Sequence, residues 1–175
     1  MRPSEIIELH REFRNVAVGG MLVCDSPHVV LQARSVGMGM AVAGFDPVTR
    51  VGGLFHSALP EAPENSSRTV SDHPAMFVAE ALPALVAGLR QAGARRDQLV
   101  FFAAGGAELL EAPAALDVGR RNRQRLQEIM AEHGFTMAGT RLGGRSCRTV
   151  CLPIADGRAF VRLAGGRAEE VLCPQ

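Results

Sequence analysis

An α+β fold, a layered α/β sandwich of mixed, largely antiparallel strands with two main helices, is predicted from three features of the chain. Short β-branched runs separated by turn residues fill positions 16–57, the pattern of hairpin-connected strands. Two longer helical patterns, residues 72–91 and 119–133, interrupt it, and more short strand-like runs follow the second. The length of 175 residues suits one core, so residues 16–175 read as a single domain after an N-terminal helical extension over residues 1–15.

Residues 4–14 place Ile6, Ile7, Leu9 and Phe13 at helical spacing behind Ser4, a suitable N-cap, and predict a short amphipathic helix. Four strands follow, over residues 16–24, 29–34, 38–45 and 51–57. The Asp46-Pro47-Val48-Thr49 stretch supplies turn chemistry that joins the last two as an antiparallel hairpin. The polar, proline-containing residues 60–71 read as a loop. In the helix that follows, Asp72 is the candidate cap, Pro83 is an internal kink and Gly93 is the stop. A strand over 99–104 ends in Gly105-Gly106, and after a loop around Pro113 the helix over 119–133 closes at Gly134. Strands over 136–142, 147–152 and 159–163 complete the pattern.

Composition narrows the function. The chain is 47% hydrophobic and 21% charged, with no apolar run long enough to cross a bilayer, and charged residues interrupt its first 14 positions where a secretory signal would be apolar. A cytoplasmic protein without membrane insertion is expected. A formal charge of +1 argues against nucleic acid as a partner, and the cluster Arg120, Arg121, Arg123 and Arg125, interleaved with Glu128 and Glu132, reads as a solvated helix face. Cys24, Cys147, Cys151 and Cys173 lack the spacing of a zinc or redox motif and read as free thiols. His10, His28, His73 and His133 have no partners at metal-ligand spacing. The pairs Gly105-Gly106 and Gly143-Gly144 lack the arrangement of a phosphate loop and read as tight turns. No cofactor or metal is expected.

Five stretches, in order, carry a resemblance. They are Val36-Gly37-Met38-Gly39-Met40-Ala41-Val42 with Phe45-Asp46-Pro47; residues 52–60, Gly-Gly-Leu-Phe-His-Ser-Ala-Leu-Pro; Ala104-Gly105-Gly106-Ala107; Gly119 with Arg121-Asn122; and Leu142-Gly143-Gly144 with Ser146 and Arg148. Together they resemble the CheD family of bacterial chemoreceptor glutamine deamidases over residues 16–163. The resemblance implies hydrolysis of receptor glutamine side chains by a cysteine thiolate, a histidine and a hydroxyl residue that orients the histidine. It places the histidine at His56, the nucleophile at Gly39 and the hydroxyl at Ala33, with Ser35 a near neighbour. It also implies that Phe77 and Ala79 replace a tyrosine and an aspartate.

A hairpin loop over residues 46–49 would set Phe45 opposite Arg50 and Gly39 directly across from His56, within reach of a thiol and an imidazole. A cysteine introduced at Gly39 would then be expected to react. Glycine cannot form the covalent intermediate, so the expected function is a catalytically silent CheD-like module that binds chemoreceptor cytoplasmic domains or, as the resemblance implies, a CheC-type phosphatase. The alternatives are an active amidohydrolase that recruits Cys147 or Cys24 to His56, and a paralogue whose cleft takes an unrelated small ligand. With its partner lost, His56 also reads as an ordinary strand histidine.

Overall fold

A computed structural model describes residues 11–64, 73–108, 111, 113, 116–165 and 169–172. Ten strands and two α-helices are found among them: β1 (Glu12–Asn15), β2 (Met21–Cys24), β3 (Val29–Val36), β4 (Met40–Asp46), β5 (Val51–Ser57), α1 (Val78–Gln91), β6 (Val100–Gly105), α2 (Val118–Glu132), β7 (Met137–Leu142), β8 (Arg148–Pro153), β9 (Phe160–Leu163) and β10 (Glu169–Val171). They form two five-stranded sheets, β1-β3-β8-β9-β10 and β2-β5-β4-β6-β7. Only the β1–β3 and β6–β7 pairs are parallel. The α+β layered sandwich is therefore the fold.

Strand alternation sorts the core into two layers. On β5, Leu54 points to the opposite sheet, joining Leu31, Val150 and Leu152, while Val51 and Phe55 point to the helices and join Leu82, Leu85 and Leu126. All of β4 and β5 is buried, because one sheet covers one face and both helices cover the other.

Several boundaries differ from expectation. Residues 1–10, with Ser4 and the bulk of the expected helix, lie outside the described residues, as do residues 65–72 with Asp72, and Cys173. Glu12–Asn15, expected to end that helix, is instead a strand parallel to β3. The expected strand over 16–24 keeps only its second half, since a tight turn fills the first: Gly20 N donates to Ala17 O at 2.8 Å, and Gly19 has a φ of +80°. Helix α1 starts at Val78 with no side-chain cap. Its first free N–H groups go to backbone, Val78 N to Leu59 O (2.9 Å) and Ala79 N to Pro60 O (3.0 Å), which docks the helix onto the segment leaving β5. Helix α2 is capped by the Asp117 carboxylate, which accepts from Arg120 N at 3.0 Å.

The β4–β5 loop is one residue later than expected. Asp46 pairs with Val51, so the loop is residues 47–50. The buried Asp46 carboxylate accepts from Val48 N (2.8 Å), Thr49 N (3.3 Å) and Arg95 N (2.7 Å), while Asp46 O accepts from Arg50 N at 2.8 Å. Arg50 closes the loop at a φ of +57°, a conformation costing a non-glycine residue about 1–2 kcal/mol. Glycine gives back about 0.5–1 kcal/mol in chain entropy, so Arg50→Gly is expected to gain roughly 0.5 kcal/mol. A higher urea midpoint at unchanged slope would record it, and a lower one would refute it.

Candidate functional site

Three of the glycine-rich stretches, far apart in sequence, meet at one end of the β2-β5-β4-β6-β7 sheet. The segment 37–39 enters β4 beside the turn leaving β6: Gly106 N donates to Gly39 O at 2.7 Å and Ala107 N to Gly37 O at 2.9 Å. The turn after β7 packs on that one, with Gly143 N donating to Gly105 O (2.9 Å) and Glu108 N to Gly144 O (2.8 Å). Gly105 must be glycine, because its φ is +124° and a Cβ would stand 2.2 Å from Gly39 O.

Two side chains that the resemblance quoted without a role hold these turns. Asn122 of α2, fully buried, donates from Nδ2 to Met38 O and Ala58 O, each at 2.9 Å. Arg148, 4% exposed, opens β8 and directs its guanidinium to the carbonyls of Arg141, Gly143 and Ser146. Burial, and then the nearby Arg141 charge, push the Arg148 pKa below its ordinary range. Arg123 of α2 binds Gly106 O and pairs with Glu108 at 2.6 Å. Arg125 pairs with Glu128 and Glu132, but it and Arg123 are largely buried, and only Arg120 and Arg121 of the cluster lie on the solvated face expected.

His56 lies on β5, 4% exposed, facing the other sheet by alternation with Leu54. Its backbone is fixed by two bonds to the 19–20 turn, His56 N to Gly20 O (3.1 Å) and Gly19 N to His56 O (2.7 Å). Burial lowers the imidazole pKa, and a hydrogen bond with the Val16 backbone opposes the shift. Nδ1 is buried without a hydrogen-bond partner. The side chain is therefore enclosed between two sheets in a setting that favours the neutral imidazole.

The register does not put Gly39 across from His56. Ala41 holds that place, and the ladder ends at Met40 opposite Ser57. Moving the loop by one residue shifts every partner by two, which keeps each side chain on its face but changes its neighbour. A Cβ on Gly39 would stand 2.3 Å from Ser57 O and 3.5 Å from the Ala58 Cα. A cysteine there would meet backbone before it met the imidazole.

The other predicted positions are scattered. Ala33 is fully buried in β3 opposite Val150, with no hydroxyl to offer, and Ser35 sits at a φ of +55° where β3 and β8 lose register. Phe77 takes the N-cap position of α1 and bridges to Leu59, and Ala79 lies in the first turn. Cys24 is opposite Gly52 on β5, four residues and about 13 Å of strand from His56. Its sulfur is 3.4 Å from Ser26 N and 3.9 Å from Arg14 Nη1. Cys147 is half-buried just outside β8, immediately before Arg148, and its carbonyl accepts from Ala164 N at 3.1 Å. Cys151, buried, is opposite Gln32, on the face of β8 turned away from Val150 and Leu152. No group of three His, Cys, Asp or Glu residues suited to a metal occurs among the described residues.

The state of His56 has a consequence for stability. Its folded pKa is depressed, so its contribution is complete above the unfolded value near pH 6.5 and is lost as pH falls from there toward the folded value. The slope in that window is at most about 1.4 kcal/mol per pH unit. Urea unfolding at pH 7.5 and 5.5 is expected to show this loss in the wild type and its absence in His56→Leu; equal losses would refute it.

Comparison with known proteins identifies the family. Residues 58–163 match the family described as CheD chemotactic sensory transduction. A probable chemoreceptor glutamine deamidase CheD of Solibacter usitatus is 33% identical over 156 residues, 89% of this chain and 92% of the relative. A protein of the same description from Symbiobacterium thermophilum is 32% identical over 164 residues, 92% and 98% of the two chains. Probable chemoreceptor glutamine deamidase CheD 2 of Anaeromyxobacter dehalogenans is 32% identical over 147 residues, 84% and 92%. With a family match over more than half its length and relatives aligned almost end to end, this chain belongs to the CheD family.

Proposed function

We propose that this protein is a catalytically silent CheD that binds chemoreceptor cytoplasmic domains, or a CheC-type phosphatase, in the cytoplasm without hydrolysing glutamine side chains. The observation that carries the reading is Gly39: it offers no nucleophile where the resemblance places one, and its Cβ position is crowded by Ser57 O. Two further features support it. Ala33 cannot orient an imidazole through a hydroxyl, and His56 is enclosed and faces Ala41 rather than a sulfur. No helix among the described residues is long and apolar enough to cross a membrane.

The competing reading is an amidohydrolase that uses Cys147 or Cys24 with His56. The strand distance weighs against Cys24, since nucleophile and base must come within hydrogen-bond reach.

The test is to incubate the protein with chemoreceptor cytoplasmic fragments, record their mass spectra and measure binding in parallel. Binding without the mass gain of amide-to-acid conversion is expected. Conversion abolished by Cys147→Ser or Cys24→Ser would sink the silent reading, and so would a failure to bind either a receptor fragment or a CheC-type protein.

A further inference from the structure

Beyond Met40 opposite Ser57 the β4–β5 ladder stops, and the two chains run on as closely apposed lips, residues 37–39 and 58–59, a Cβ on Gly39 lying 3.5 Å from the Ala58 Cα. The lips bond outward: Ala58 N and Leu59 N both donate to Met76 O, while Gly37 O and Gly39 O accept from the turn after β6. That leaves Met38 O and Ala58 O, one on each lip, and the Asn122 carboxamide donates to both. One side chain on α2 thus supplies the rung that the ladder lacks. It is fully buried, and its Oδ1 has no partner. An unpaired buried acceptor is costly, a cost that volume-filling alone does not require, since leucine has nearly the same shape.

We propose that Asn122 is the positioning residue of this cleft: it fixes the spacing between the lip bearing Gly39 and the lip leaving His56, and receptor binding depends on that spacing. The inference rests on the reading of the protein as a receptor binder. The two donors of the carboxamide are matched to two carbonyls on separate elements. Neither Asp, which loses both donors when ionised, nor Ser, which has one, can reproduce the bridge.

The test pairs Asn122→Ala with Asn122→Leu, the second preserving volume if the first fails to fold. Hydrogen exchange at the Gly106 and Ala107 amides, which bond the Gly39 lip, is expected to rise about tenfold or more in both variants, while the β3 and β8 amides keep wild-type rates. Affinity for a chemoreceptor cytoplasmic fragment is expected to fall about tenfold, the equivalent of one or two hydrogen bonds. Exchange that rises evenly across both sheets would reduce Asn122 to a general stabiliser and overturn the proposal. So would loosened lips with unchanged affinity. If the wild type itself binds no fragment while the lips loosen locally, the receptor-binding reading fails and the dependence of binding on Asn122 fails with it, the exchange result standing apart as a property of the fold.

Discussion

Gly39→Cys is expected to yield a less stable protein and no deamidase. An ideal Cβ at this position lies 2.3 Å from Ser57 O, and the obstacle is backbone, which cannot rotate aside as a side chain would. Gly39 is also tied from the other direction, since its own carbonyl accepts from Gly106 N at 2.7 Å. The strand entrance is therefore held on both sides, and relief requires the lip and the end of β5 to separate. Over-packing of this kind costs about 1–3 kcal/mol, and the pinned backbone places the expected loss near the upper end, about 3 kcal/mol. The introduced sulfur would still not face His56, whose cross-strand partner is Ala41. Urea unfolding, thiol titration at neutral pH and the receptor mass assay check the three parts separately. A variant as stable as the wild type, with a fast-reacting thiol and converted receptor glutamines, would mean that the cleft still accepts a nucleophile and that silence is a single-residue affair.

How much of this was legible in advance depends on the scale of the interaction. Hydrophobic period located β3 through β9 and the second helix to within two residues, and the first helix except for its start, six residues later than expected, because burial on sheet and helix faces is what writes that period. It joined two unlike segments over 16–24, since the turn there rests on Gly19 and a single backbone bond that leave the apolar run looking continuous. It could not find β1, whose burial pattern is wholly exposed and whose partner, β3, is joined to it in parallel. The hairpin register failed for a local reason. A turn-forming Asp-Pro was read as loop, whereas Asp46 stays in the strand and uses its carboxylate to hold the loop from outside, and Arg50 accepts a left-handed conformation normally left to glycine.

The cleft's supporting residues carried a signal that went unused. Asn122 falls on the stripe shared with Leu126, Ile129 and Met130, and Arg148 alternates with Val150 and Leu152, so each is a polar residue in a position the pattern reserves for the core. Polar side chains so placed are buried at a cost unless they bind something. Asn122 binds the carbonyls of Met38 and Ala58, far away in sequence, which no spacing rule could have named, whereas Arg148 binds those of the turn just before its own strand.

At the opposite end of the hairpin, Asp46→Ala is expected to be the most destabilising single change short of a glycine clash. The carboxylate accepts three backbone N–H groups, two from its own loop and one, Arg95 N, from the connection between α1 and β6, so it ties the ribbon to the helix layer. Hydrogen bonds to a charged group contribute about 1.5–3 kcal/mol each. The two loop donors can turn to water when it is removed, which puts the expected loss at about 3 kcal/mol rather than the full sum. Burial alone would raise the Asp46 pKa, but the bonds from Arg95, Val48 and Thr49 outweigh it and hold the carboxyl below its ordinary value. Its contribution is then complete above about pH 4 and is lost as pH falls through the lower folded value. Urea unfolding at pH 7 and pH 3 is expected to show a large gap between wild type and variant that narrows on acidification. Because Asp46 lies six residues, about 20 Å of strand, from the cleft end of β4, the folded variant is expected to bind receptor fragments as the wild type does. A gap that stays constant with pH would mean that the loop is held by its backbone alone, and lost binding in the folded variant would mean that the register set at the turn is what keeps the distant lips in place.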